Sequence, residues 1–91
     1  MSKRTVAGVT VAVVLGLWVL LGVVFKGNAL DSWSGDYTAA KLHALTPLPG
    51  SREAADFAAD YEALDSSNIV TGPFRYMAAH ESHKAWAATM P

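Results

Sequence analysis

From Thr5 to Phe25 the chain runs for 21 residues without a charged side chain and almost without a polar one. No other feature restricts the available folds so strongly. At about 1.5 Å per helical residue the run covers roughly 30 Å, the thickness of a bilayer's hydrocarbon layer. With 91 residues in all, the chain has too little material to bury such a helix on every side in a soluble core. The expectation is a transmembrane helix over residues 5–26, preceded by a cytoplasmic head at 1–4 and followed by a helical exoplasmic tail at 27–91. That one segment accounts for a 52% hydrophobic share beside only 16% charged residues.

A basic head, an apolar run and a polar tail are common to cleaved signal peptides and to uncleaved anchors. A signal peptide's apolar region is about 7–15 residues long and ends in small residues. This run is longer and ends in Phe25-Lys26, with Gly27-Asn28-Ala29 a poor cleavage site, so an uncleaved signal anchor is expected. Lys3 and Arg4 precede the run and Lys26 alone follows it. Basic flanks tend to stay cytoplasmic, which places the tail on the periplasmic side of an inner membrane.

The whole-chain charge of −1 hides an asymmetry. From Gly27 onward four bases (Lys41, Arg52, Arg75, Lys84) face eight acids (Asp31, Asp36, Glu53, Asp56, Asp60, Glu62, Asp65, Glu81), leaving −4. Such a tail repels phosphate backbones, so nucleic acid is not an expected partner. The chain has no cysteine, which excludes disulfides, thiolate metal sites and thioether-attached haem. The apolar run carries no ionisable residue and no ligand for a haem or chlorophyll, so it is read as an anchor or an assembly element, and no cofactor is expected.

Around that helix Gly8, Ala12 and Gly16 form a row of small residues, with Thr5 and Gly22 on the same side. In lipid, close approach through small residues is a principal route to helix association, so Thr5, Gly8, Ala12, Gly16 and Gly22 are the expected docking face for other membrane-protein subunits. Trp18 lies about 12 Å from Lys26, deeper than the interfacial belt, where lipid, a partner helix or a pigment ring are its candidate contacts. Lys26, Trp33 and Tyr37 are the expected anchors at the headgroup level.

The tail reads as two to three short helices with irregular linkers, so the fold class is an all-α membrane protein. Gly27–Gly35 reads as a linker. A first short helix spans about Tyr37–Leu45, capped by Asp36 or Ser34, and is stopped by Thr46-Pro47-Leu48-Pro49-Gly50. A second spans about Arg52–Leu64 with Ser51 as its cap and an apolar stripe at Ala54, Phe57, Ala58, Tyr61 and Leu64. A third begins at Gly72-Pro73 and runs to about Thr89. It carries Phe74, Met77 and Ala78 on one side, and Tyr76, Ala79, His80, His83 and Trp86 on another. One side is expected to serve the tail's own packing and the other, with Tyr76, His80, His83 and Trp86, to meet a partner.

His80 and His83 share a helical face at a spacing that can chelate a metal, but a third ligand is not in sight, since His43 lies a helix and a proline turn away and Glu81 should point elsewhere. Asp56 and Asp60 beside Glu53 read as a solvated acidic face, because acid/base work needs a cleft that drives two pKa values apart. The serines lack a nucleophile elbow or a positioned base. The functional expectation is a non-catalytic single-pass accessory or assembly subunit of a larger membrane complex. Respiratory or photosynthetic complexes are the expected hosts, on architecture alone. The competing expectation is a free-standing membrane-tethered module whose acidic tail captures a soluble basic partner.

Overall fold

Ser2 opens the first helix by accepting the backbone N–H of Thr5 at 3.2 Å, the arrangement that satisfies one of the otherwise unpaired donors of a helix start. The computed structural model describes residues 2–90. Met1, at the tip of the expected head, and Pro91, at the end of the expected tail, lie outside the described residues. Helix α1 spans Lys3–Val19 and runs into a π-helical turn, Leu20–Phe25. Helix α2 (Lys26–Ser32) continues the same rod, a break at Trp33 separates it from α3 (Ser34–Ala44), and α4 (Ser51–Asp65) and α5 (Gly72–Ala87) follow. Among the described residues there is no strand. Lys3–Ser32 is the one helix among them that is long and apolar enough to cross a membrane.

The expected linker at Gly27–Gly35 is helical instead. Its glycines and serines suggest a flexible exit, but Ala29, Leu30 and Trp33 recur at helical spacing and pack against Leu64 and Ala79. Burial of that stripe outweighs the weak helix propensity of Gly27 and Ser32, each a penalty of at most about 1 kcal/mol. The chain turns after α3 through Pro47 and Pro49, as expected. It re-enters helix at Gly50, whose φ of 89° lies in the left-handed region that side chains disfavour. Gly50 is thus the N-cap and Ser51 the first residue of α4, so the cap lies one position earlier than the Ser51 assigned from sequence.

Helices α3, α4 and α5 close on a core of Ala40, Ala54, Phe57 and Trp86, with Trp33, Tyr37, Ala44 and Tyr61 packed around it. A second cluster of Ala29, Leu64 and Ala79 joins this bundle to α2. Alanines at the crossings let the backbones approach, and the aromatic rings fill the spaces left. Phe57 stacks on Trp86 at 5.6 Å and meets Trp33 edge-on at 6.0 Å. The molecule measures 60 × 21 × 17 Å, because most of α1 projects from the bundle with no buried residue.

Candidate functional site

Two surfaces bear on function, the bare rod of α1 and the place where the tail folds back onto it. The second is an elbow between α4 and α5, Ser66 to Phe74, which lies along the π-helical turn. Gly22 and Gly72 meet there so closely that a Cβ on Gly72 would stand 2.9 Å from the Gly22 Cα. A Cβ on Gly22 would in turn stand 3.2 Å from both the Ile69 carbonyl oxygen and Pro73 Cδ. Either end of this crossing is fastened. Lys26 Nζ donates to the Ser67 carbonyl at 2.7 Å, and Trp18 Nε1 donates to the Val70 carbonyl at 3.2 Å. Phe74 lies edge-on to Trp18 at 5.0 Å, and Tyr76 stacks on Phe25 at 6.0 Å.

Asn68 organises the elbow, its Oδ1 accepting the N–H groups of both Val70 and Thr71 at 2.9 Å. Its own N–H goes to Thr71 Oγ1 at 3.2 Å and its carbonyl takes the Gly72 N–H at 2.7 Å. This is the local side-chain capping that lets asparagine replace helix bonds in a turn. Pro73 then starts α5 where a missing N–H costs nothing.

The expected docking face divides between the two surfaces. Thr5, Gly8, Ala12 and Gly16 are exposed, and nothing lies within 4 Å of a Cβ placed on Gly8 or Gly16. Gly22 is buried, but by this chain's own elbow. The row therefore splits at the π-helical turn, with only its N-terminal part left open. Trp18 meets Phe74 and the Val70 carbonyl of this chain.

The two sides of α5 are exchanged relative to the sequence reading. Trp86 is only 3% exposed, and its indole N–H donates to His43 Nδ1 at 3.0 Å. His43 Nε2 lies 3.0 Å from the Pro49 carbonyl, so the neutral ring donates from Nε2 and accepts at Nδ1. His83 is held between Trp33 and Phe57, each 4.9 Å away, with Nε2 2.9 Å from an Asp36 oxygen. Tyr76 stacks between Phe25 and Trp33. Three of the four residues expected at a partner interface thus belong to the tail's own packing, and only His80 remains on the outside. Phe74 and Met77, expected inside, are the exposed ones. Tyr76 and His83 find their partner in the segment read as a linker, where Trp33 follows α2, and Trp86 finds its own in Phe57 of α4 and His43 of α3.

Trp33 and Tyr37 likewise turn inward instead of toward a headgroup layer, Tyr37 stacking on Tyr61 at 4.3 Å. Of the expected interfacial anchors, Lys26 alone stands at the root of the apolar rod. Among the described residues no three His, Asp or Glu side chains gather as a metal site. His80 faces Tyr76 and Trp33, its Nδ1 3.9 Å from Glu81 Oε1, a nearer approach than sequence spacing suggested. Asp60 leaves the acidic face to accept the Ser82 hydroxyl. A groove of about 650 Å³ between α3 and α4, walled by Leu42, Leu45, Ala55 and Ala59 with Lys41 and Glu62 at its rim, is shallow and open to solvent.

Tyr61 and Tyr37 carry the electrostatic perturbations. Burial, assisted by the charges of Asp65, Tyr37 and Asp31, pushes the Tyr61 phenol above its usual range, and its O–H donates to the Leu30 carbonyl at 2.6 Å. The hydrogen bond to Glu62 raises Tyr37, and its bond to Tyr37 in turn raises Lys41. All three groups keep protons in the folded state that the unfolded chain gives up. Their contribution is therefore complete below the unfolded values near 10 and is lost as pH rises through the folded ones. Thermal unfolding followed by circular dichroism should show a midpoint that drops above about pH 10. Tyr61→Phe should reduce the drop, and an alkaline rise in midpoint would contradict the assignment.

No protein family, curated protein or solved structure matches the chain.

Proposed function

We propose that this protein is a non-catalytic, single-pass accessory subunit of a larger membrane assembly, its head cytoplasmic and its tail exoplasmic. The observation that carries the reading is the bare length of α1. No residue of Lys3–Val19 is buried, and most of the helix, up to Trp18 where the elbow meets it, projects from the bundle, while the tail spends most of its aromatic groups on its own packing. An apolar rod of this kind has to be covered by lipid, by another helix or by both. The open row Gly8-Ala12-Gly16 supplies the close-approach surface that association in lipid uses. Energy-transducing complexes, respiratory or photosynthetic, are the hosts we favour, because cofactor-free single-span subunits are common there.

One observation favours a second reading. The tail closes a core of its own around Phe57 and Trp86, as a free-standing tethered module would, and Asp56 and Glu62 remain exposed on α4 to attract a soluble basic partner.

Gentle solubilisation and identification of co-purifying proteins separates the two. The subunit reading expects a constant set of membrane proteins to accompany the wild-type chain and to be lost from Gly16→Leu, which still inserts because leucine favours the bilayer. Undiminished co-purification with Gly16→Leu and Gly8→Leu would show that the row faces lipid. A single soluble basic companion released by moderate salt would favour the module.

A further inference from the structure

The elbow Ser66–Phe74 holds a run of nine residues without a charge, and three of its large apolar side chains are exposed. Val70 is 64% exposed, Phe74 58%, and Ile69 and Met77 are each half exposed. This patch adjoins the apolar rod, where Val23 and Ile69 line one shallow depression and Phe74 lies against Trp18. We propose that the elbow is a membrane wedge: Ile69, Val70 and Phe74 enter the acyl-chain region of the bilayer beside the anchor, down to the level of Trp18.

Length decides the depth, given the membrane anchor proposed above, on which this inference rests. The Trp18–Val70 hydrogen bond fixes the tip of the elbow eight residues below Lys26, about 12 Å along the helix axis. Were the elbow in water, the hydrocarbon layer would have to end near Trp18. Only residues 5–18 would then remain to cross it, about 21 Å of helix against the roughly 30 Å required. A span of that shortness would thin the bilayer around it. Admitting the elbow restores the full run to Phe25.

Most of the elbow's backbone suits that place, the Ile69 N–H and carbonyl being without a hydrogen-bond partner among the described residues. Irregular chain inside a bilayer is tolerated only where its polar groups find partners within the protein. Here Asn68 takes the Val70 and Thr71 N–H groups, Thr71 takes that of Asn68, and Asn68 takes that of Gly72. The outward carbonyls of Val70 and Ser67 are occupied by Trp18 and Lys26. Arg75 follows Phe74 on the rising helix, one residue before Tyr76, which stands beside Phe25. From there its guanidinium can reach the headgroup phosphates while its stem lies in the acyl region.

The test uses the full chain in phosphatidylcholine vesicles. Single cysteines are introduced into the cysteine-free background and carry an environment-sensitive fluorophore at Val70, Ile69, Val13 or Glu81. Lipids with a spin label in the upper half of the acyl chain act as quenchers. The expected result is that the labels at positions 70 and 69 lose most of their emission and shift to the blue, as the label at position 13 does with a quencher set deeper in the chain, while the label at position 81 is unaffected. Quenching at position 13 without quenching at either 70 or 69 would overturn the wedge and leave the anchor standing. Absence of quenching at all four positions would overturn the anchor and, with it, the wedge.

Discussion

Gly72→Leu is expected to lift the elbow off the apolar rod while leaving the bundle of α3, α4 and α5 folded. The Cβ that any side chain adds at this position would stand 2.9 Å from Gly22 Cα and 3.2 Å from its carbonyl oxygen. Both are backbone atoms of a continuous helix, so no rotamer change relieves the clash. Overpacking typically costs about 1–3 kcal/mol where neighbours can shift. Here the larger shift available is separation of the two segments, which forfeits the Trp18–Val70 and Lys26–Ser67 hydrogen bonds and the Trp18–Phe74 contact together. Spin labels on Thr10→Cys and Glu81→Cys, both exposed, report the outcome. Their distance distribution should be narrow in the parent protein and broad in Gly72→Leu and Gly22→Leu. It should remain narrow in Gly16→Leu, where nothing lies within 4 Å of the added Cβ. An unaltered distribution in Gly72→Leu would mean that the glycine crossing does not hold the tail to the rod.

The same crossing shows what sequence could and could not convey. The stripe Ala54, Phe57, Ala58, Tyr61 and Leu64 on α4 was legible because a 3.6-residue period against an acidic opposite side leaves one orientation for the helix, and four of the five are buried with Tyr61 half-buried. The proline turn and the proline start of α5 were legible for local steric reasons. α5 itself has apolar residues on two sides, and periodicity identifies sides without saying which neighbour each will meet. Once Gly27–Gly35 is read as a linker, the side carrying Trp86 is left without an internal partner and is assigned outward. Instead the continuation through Trp33 takes up Tyr76 and His83, and Phe57 on α4 with His43 on α3 takes up Trp86. Gly22 was legible as a small residue on one face of the rod, yet its partner is Gly72, fifty residues along the chain, and no local signal couples the two. The uncharged stretch around Ile69-Val70 was the available clue, being a second apolar segment too short to span and too exposed to serve as core.

Trp86→Ala is expected to abolish the tail's fixed tertiary structure, a larger effect than loss of a peripheral contact. Trp86 is 3% exposed, stacks on the fully buried Phe57 and holds the α3–α4 turn through His43. Truncating a buried tryptophan to alanine costs about 3–5 kcal/mol, and a core built from so few large side chains supplies only about that much net stability. The tail should therefore lose its near-ultraviolet circular dichroism and its cooperative thermal transition, while the apolar rod, which has no side-chain contact with Trp86, stays helical. Trp86→Phe separates the two contributions: a phenyl ring preserves the stacking on Phe57 but leaves the half-buried His43 Nδ1 without its donor, a loss of about 1 kcal/mol. Its midpoint should fall between those of the parent and Trp86→Ala. If instead Trp86→Ala melts at the parent temperature and only releases co-purifying proteins, the indole serves a partner and the packing of α5 against α3 and α4 does not depend on it.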